Sequence, residues 1–265
     1  MIKLIATDMD GTFLNDRHQF PADFREVFRQ MKEQGIIFGA ASGRQYHNLE
    51  SLFEKEKDDM FFIAENGTYV VYKGKELFSC TIDKKYVSRL IEIARTIDDV
   101  HIVVCTKKAA YVEDTDERVM QEVRKYYAKR AVVEDLNEVE DDVLKIALLD
   151  LKGAESNSLH YFRELQNELK ITVSGLVWLD IMPLDANKGI ALQKVQEYFG
   201  VSAQTTMVFG DYMNDLEMLQ NAYYNYAMAN AHDEIKKIAR FEAKSNNESG
   251  VTETIKEYLA ANVKG

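Results

Sequence analysis

Only two prolines, two cysteines and one tryptophan occur among the 265 residues, and no long apolar run is present. Cys80 and Cys105 lack the spacing of a zinc knuckle or a redox pair and make no disulfide framework. A reducing, cytoplasmic setting is expected, with both thiols as plain buried or half-buried side chains. No stretch approaches the roughly 20 apolar residues that span a bilayer, and the N-terminal run meets Asp8 too soon to be a secretory signal. Basic charge is in deficit, with 33 Lys and Arg against 44 Asp and Glu and a net charge of −11. The basic residues form no stripe, which argues against nucleic acid or an anionic membrane as partner. His18, His47, His101, His160 and His232 show no ligand spacing and read as surface or packing residues.

What the chain does have is apolar content, 46% of residues, enough for one core and a second, smaller one. The opening stretch MIKLIATDMDGTFL carries an apolar run too short for a helix, and it delivers Asp8 and Asp10 into a turn at Gly11. Two carboxylates one residue apart repel each other where water is partly excluded. A proton, a basic neighbour or a metal must therefore offset them.

Periodicity organises the rest. A helix is expected around Phe24, Val27, Phe28 and Met31, opened near Pro21 and stopped by Gly35. A strand over 36–41 enters Ser42-Gly43-Arg44, a helix follows over 45–53, and a strand over 60–64 enters Glu65-Asn66-Gly67. Lys73-Gly74 marks a hairpin. Alternating strands and helices with short loops indicate a parallel sheet covered on both faces. From residue 82 the style changes: a helix through Val87 to Ile97, short strands at 102–105 and 109–112, a charged helix over 116–129, and a strand over 143–150. A helix carrying Leu159, Phe162, Leu165 and Leu169 precedes a hairpin of 171–174 with 177–182, turning at Ser174-Gly175. The chain then returns to the first style, with a helix over 188–199 closed by Gly200 and a strand over 206–209 entering Gly210-Asp211. A helix through Leu216 and Leu219, a strand over 224–227, a helix near 233–240 and a closing helix with Val251, Ile255, Tyr258 and Leu259 complete it. The expected fold class is α/β: a Rossmann-like parallel-sheet core, residues 1–82 and 184–265, with an α+β unit, residues 83–183, inserted in it.

Four polar clusters stand at the carboxyl ends of expected parallel strands or at the start of a helix: Asp8 to Thr12, Ser42-Gly43-Arg44, Lys188, and Gly210-Asp211 with Asn214-Asp215. Loops and helix N-termini converge on that edge of an open parallel sheet, so ligands bind there. Asp211 follows a strand and a glycine, where an aspartate can either cap the next helix or ligate a hard divalent cation, and Asp215 lies four residues later on the same helical face.

The D-x-D-G-T pattern after a buried strand resembles the first motif of the haloacid dehalogenase superfamily of phosphotransferases. GDYMND at 210–215 and the core, insert, core order resemble its Cof-type members, and DMDGTFLND, ASGRQY, AENG and WLDI resemble the sugar phosphatases among them. The resemblance spans the chain, and it implies that the insert is a cap. It further implies that Asp8 is the nucleophile that forms an aspartyl-phosphate and Asp10 the general acid and base. Asp10 is then expected to bind a proton more tightly than a free aspartate, through partial burial and the neighbouring Asp8. Mg²⁺ would be held by Asp8, the backbone carbonyl of Asp10 and Asp211. Ser42 and Gly43 would bind phosphoryl oxygens, Lys188 would steady the phosphoryl group, and Thr12 and Asp215 would support the ligands from behind. Asn66 is expected either to face the leaving group or to serve as a turn asparagine, Asn214 to bond the phosphate or the metal's water shell, and Arg44 and Tyr46 to contact the substrate unless Arg44 pairs with an acidic neighbour. Trp178 and Asp180 either reach toward it on cap closure or, for Trp178, pack the cap.

The expected activity is Mg²⁺-dependent hydrolysis of small phosphorylated metabolites, sugar phosphates in particular. A phosphotransferase or phosphomutase would use the same intermediate but pass the phosphoryl group to a sugar hydroxyl. A receiver-like signalling module is disfavoured by Asp10, because an acid and base beside the phosphoacceptor shortens the intermediate's life. No motif specifies an oligomeric state.

Overall fold

The computed structural model describes residues 1–262. The first run comprises β1 (Leu4–Asp8), α1 (Phe24–Glu33), β2 (Ile37–Ala41), α2 (Tyr46–Leu52), β3 (Met60–Ala64), β4 (Tyr69–Tyr72) and β5 (Lys75–Ser79). The middle run comprises α3 (Lys84–Arg95), β6 (Val100–Thr106), β7 (Ala110–Val112), α4 (Glu117–Tyr126), β8 (Arg130–Val132), β9 (Val143–Asp150), β10 (Leu169–Gly175) and β11 (Trp178–Pro183). The last run comprises α5 (Lys188–Phe199), β12 (Thr206–Gly210), α6 (Leu216–Gln220), β13 (Tyr224–Met228), α7 (Asp233–Ile238), β14 (Phe241–Ala243) and α8 (Gly250–Asn262).

The chain divides into two compact units, one of residues 1–43, 53–78 and 187 onward, the other of residues 44–52 and 79–186. Among the described residues the first unit carries an eight-stranded sheet in the order β14-β13-β12-β1-β2-β3-β4-β5. Pairing is parallel from β14 through β3 and antiparallel from β3 to β4. Strands β1, β3 and β12 are buried along their whole length, which is why they read as short apolar runs without alternation. The chain leaves β1 toward β2 on one side, whereas β12 flanks it on the other. That reversal is the place where an open parallel sheet binds ligands. Lys73 and Gly74 both adopt positive φ, 52° and 69°, as a two-residue hairpin turn requires.

An aromatic cluster fixes the loop after β1. Phe13 lies 5.0 Å from Phe24, 5.6 Å from Phe20 and 5.9 Å from Phe38, and Phe20 lies 4.9 Å from Phe53. Both ends of the 13–20 loop are thus anchored in one cluster. Phe13→Ala is expected to cost about 3–5 kcal/mol in a denaturant titration; a loss under about 1 kcal/mol would show that the loop is held by other means.

The second unit carries a six-stranded sheet, β10-β11-β9-β6-β7-β8. Its two faces alternate residue by residue, as strand geometry demands. Ile146 and Leu148 of β9 join Leu90, Ile91 and Phe162 on one side, while Ala147 and Leu149 join Val119, Val123 and Trp178 on the other. Trp178 therefore packs this unit's core, and Asp180 pairs with buried Lys145 at 3.5 Å. Cys105 is buried and Cys80 half-buried, both as free thiols.

Several local expectations are corrected. Leu169 is the first residue of β10, opposite Pro183, and does not belong to a helix. The segment before it, Ser158–Leu165, is a 3₁₀ helix. The charged helix stops at Tyr126 because Tyr127 is already extended, with φ −117° and ψ 95°. Residues 130–132 then form edge strand β8, parallel to β7. The expected 171–174 strand is longer at both ends, and its turn comes after Gly175, which pairs with Trp178. Helix α7 ends at Ile238, leaving room for β14. Residues 44–52 group with the second unit, where Gln45 and the Lys129 backbone exchange hydrogen bonds of 2.8 and 2.9 Å.

Candidate active site

Asp8 ends β1 and Asp211 follows β12, so adjacent parallel strands present both carboxylates at the same edge of the first unit's sheet. Two glycines make the approach possible. A Cβ on Gly11, whose φ is +83°, would lie 2.4 Å from Asp211 Oδ2, and one on Gly210 would lie 2.6 Å from Asp215 Cβ. Any side chain at either place would displace an acid. Lys188 is the first residue of α5, set there by Asn187, whose Oδ1 accepts the Ile190 amide at 2.8 Å.

Lys188 is fully buried, and its Nζ donates to Asp8 Oδ1 at 2.5 Å and to Asp215 Oδ1 at 2.7 Å. Burial alone would release its proton, but Asp215 and Asp8 outweigh that and hold the ammonium above the usual lysine range. The other oxygen of Asp215 accepts the amides of Asp211 and Tyr212 at 3.0 and 3.2 Å. Asp215 thus orients both Lys188 and the Asp211 loop. Thr12, buried, donates its hydroxyl to Asp211 Oδ1 at 2.6 Å. Burial, then the charge of Asp215, push the Asp8 carboxyl well above the ordinary carboxylate range. Burial likewise lifts Asp211 to about 6, against the hydrogen bond from Thr12.

A second group gathers at the ends of β2 and β3. The Asn66 amide donates to Ser42 O at 2.9 Å, and Asn214 Nδ2 donates to Asn66 Oδ1 at 3.2 Å. A Cβ on Gly43 would lie 3.0 Å from Asn66 Oδ1. Glu65, Asn66 and Gly67 have successive φ values of 49°, 56° and 99°, a left-handed run that costs free energy at its non-glycine members.

Two more of the expected residues belong to the second unit. Arg44 falls in the second unit, where its Nη1 donates to Asn48 Oδ1 at 3.1 Å. Tyr46 lies on α2 in that unit, its hydroxyl donating to Glu50 at 3.1 Å. The partial burial expected of Asp10 is not found: its carboxylate is 45% exposed, and His18 Nδ1 stands 3.3 Å away. His18 is a surface residue, as expected, and it is also the neighbour of Asp10. Asn230, absent from the sequence reading, donates its side-chain amide to the Gly11 carbonyl at 2.7 Å.

A sequence profile of haloacid dehalogenase-like hydrolases matches residues 5–255. The chain belongs to this family. It is 34% identical over 264 residues to the 5-amino-6-(5-phospho-D-ribitylamino)uracil phosphatase YbjI of Escherichia coli, covering 97% of this chain and 96% of that one. It is 28% identical to YwtE of Bacillus subtilis, a phosphatase of the same name, over 98% of this chain and 99% of that one. The solved structure of SMU.1108c from Streptococcus mutans superposes with a TM-score of 0.86 at 30% identity, over 98% of this chain and all of the other.

In this haloacid dehalogenase-like hydrolase, carboxylate oxygens of Asp8, Asp211 and Asp215 lie within 4.8 Å of one another. Lys188 is the one cation shown bonded to any of them among the described residues. An all-oxygen donor set, with three carboxylates against one ammonium and with burial opposing the ionisation of Asp8 and Asp211, fits a hard divalent cation. The raised Asp211 value sets a sign. The carboxylate form that binds a cation is depleted as pH falls through about 6, so Mg²⁺ affinity is expected to drop steeply between about pH 7 and about pH 5. By the same linkage, the stability this group contributes is full below its unfolded value near 3.8 and is lost as pH rises through about 6. Asp211→Asn should therefore raise the melting temperature of the metal-free protein at about pH 8. Calorimetric Mg²⁺ titrations at the two pH values and thermal melts in EDTA check both; a flat affinity profile would contradict the first.

Proposed function

We propose that this protein is a Mg²⁺-dependent phosphomonoesterase for small phosphorylated metabolites, sugar or sugar-alcohol phosphates among them, working in the cytoplasm. The observation that carries the reading is the buried Lys188 between Asp8 and Asp215, with Asp211 beside them. A nucleophilic carboxylate must be approached by an anionic phosphoryl group, and a fixed ammonium offsets the repulsion. Family membership supports the hydrolase chemistry, and the names of the E. coli and B. subtilis relatives support a phosphorylated sugar-alcohol substrate.

Asp8 attacks phosphorus, the bond to the leaving oxygen breaks, and Asp10 gives that oxygen a proton. Asp10 then takes a proton from the water that attacks the phosphoryl group on Asp8, and inorganic phosphate leaves as the carboxylate is restored. The exposure of Asp10 suits an acid that must meet both leaving group and water. Ser42 and Gly43 would hold phosphoryl oxygens, and Asn66 with Asn214 would face the leaving group. Mg²⁺, bound by Asp8, Asp211 and the Asp10 carbonyl and flanked by Asp215, would supply charge neutralisation for the approach of the two anions.

The test is release of inorganic phosphate from an aryl phosphate, a panel of sugar phosphates and 5-amino-6-(5-phospho-D-ribitylamino)uracil, with Mg²⁺ and with EDTA. Turnover that needs Mg²⁺ and favours polyhydroxylated phosphates is expected. Absence of phosphate release from every substrate would overturn the reading.

A further inference from the structure

The loop between β13 and α7 touches both acid-bearing loops of the site. Asn230 Nδ2 donates to the Gly11 carbonyl at 2.7 Å, and two residues later the His232 amide donates to the Asp211 carbonyl at 2.9 Å. Asn230 is itself held, since its Oδ1 accepts the Asn246 amide at 3.1 Å. Asn246, buried, sends its own side-chain amide to the Leu14 carbonyl and to Asp16 Oδ1, both at 3.0 Å. Side-chain amides thus grip the backbone just after Asp10 in place of a regular ladder.

The grip on Gly11 bears on one acid. The Gly11 carbonyl belongs to the peptide that joins Gly11 to Thr12, so fixing that oxygen fixes the plane of the Gly11–Thr12 link. These two residues touch both oxygens of Asp211. Thr12 donates to Oδ1 at 2.6 Å, and Gly11 presents its bare Cα to Oδ2, where a Cβ would stand 2.4 Å away. A swing of this peptide would withdraw the Thr12 hydroxyl and change the room left for the carboxylate.

We propose that Asn230 is a positioning residue for the cation site, aiming the Asp211 carboxylate through the Gly11–Thr12 peptide. The proposal rests on the reading of Asp211 as a cation ligand. Groups that orient a ligand from behind typically change metal affinity by about 10–100-fold when removed, and Asn230 is assigned the lower part of that range.

The experiment measures Mn²⁺ affinity by electron paramagnetic resonance of the free ion in wild type, Asn230→Ala, Thr12→Val, the double variant and Asp211→Asn, with near-ultraviolet circular dichroism to establish folding. Asn230→Ala is expected to weaken Mn²⁺ binding by about tenfold, and the double variant to be little weaker than Thr12→Val alone, because both losses run through one peptide. Wild-type affinity in Asn230→Ala, or losses that multiply in the double variant, would overturn the proposal. If Asn230→Ala fails to fold, Asn230→Ser, too short to reach the Gly11 carbonyl, is read by the same criteria. Wild-type Mn²⁺ affinity in Asp211→Asn would instead sink the cation-site reading, a result distinct from the others.

Discussion

Asp8→Asn is expected to lower phosphate release by about a thousandfold or more, the scale on which removal of an enzymic nucleophile acts. The amide that replaces the carboxylate is isosteric and can still accept from Lys188, so the loss falls on chemistry and leaves the fold intact. Electrostatics sharpen the expectation. Burial and the charges of Asp215 and Asp211 all work against an ionised Asp8, with Lys188 alone opposing them. A neutral residue relieves that conflict, and the metal-free variant should melt no lower than wild type. Phosphate release measured beside a thermal melt separates the two effects. Residual activity of a tenth or more in a well-folded variant would mean that another group attacks phosphorus.

Lys188→Met is expected to damage both stability and turnover. The side chain is fully buried and makes 2.5 and 2.7 Å contacts with two carboxylates. Removing one partner of a buried ionic group leaves the others without compensation, at a cost of about 3–5 kcal/mol. At roughly 2–4 °C per kcal/mol for a chain of this size, the melting temperature should fall by about 6–20 °C. Turnover should fall by about 10²–10³-fold, since the approaching phosphoryl group then meets Asp8 without a fixed ammonium. Lys188→Arg should not restore it, because the guanidinium is larger and planar and the lysine it replaces is fully buried. The double variant Lys188→Met with Asp215→Asn distinguishes the causes. It removes one stranded charge and should regain stability while remaining inactive; recovery of activity instead would show that Lys188 serves only to neutralise Asp215.

The acids of the site are legible in the sequence because each stands where a short apolar run ends in a glycine-bearing turn, a pattern contained in half a dozen neighbouring residues. The same holds for Ser42 after β2 and Lys188 at the head of α5. What is not legible depends on distance along the chain. The bond from Asn230 to Gly11 joins residues 219 apart, and nothing in a loop asparagine announces such a partner. His18 is hidden for a similar reason, since its approach to Asp10 depends on how the 13–20 loop turns back. Edge strands β8 and β14, three residues each and partly exposed, carry too little apolar signal to register. Leu169 misled because an apolar residue four after Leu165 continues a helical stripe, whereas its pairing with Pro183 places it in a sheet. The grouping of Arg44 with the second unit follows from the Gln45 and Lys129 exchange, a contact across 84 residues.

The position of β12 beside β1 has a consequence for biosynthesis. The ribosome completes β1 about two hundred residues before β12, the strand that must lie against it. Until then Asp8 has neither Asp211 nor Asp215, and one hydrogen-bonding edge of the sheet's central strand has no neighbour. A chain interrupted before residue 206 is therefore both chemically silent and prone to associate through that edge. Activity can arise only once the chain has been made through β12 and Asp211.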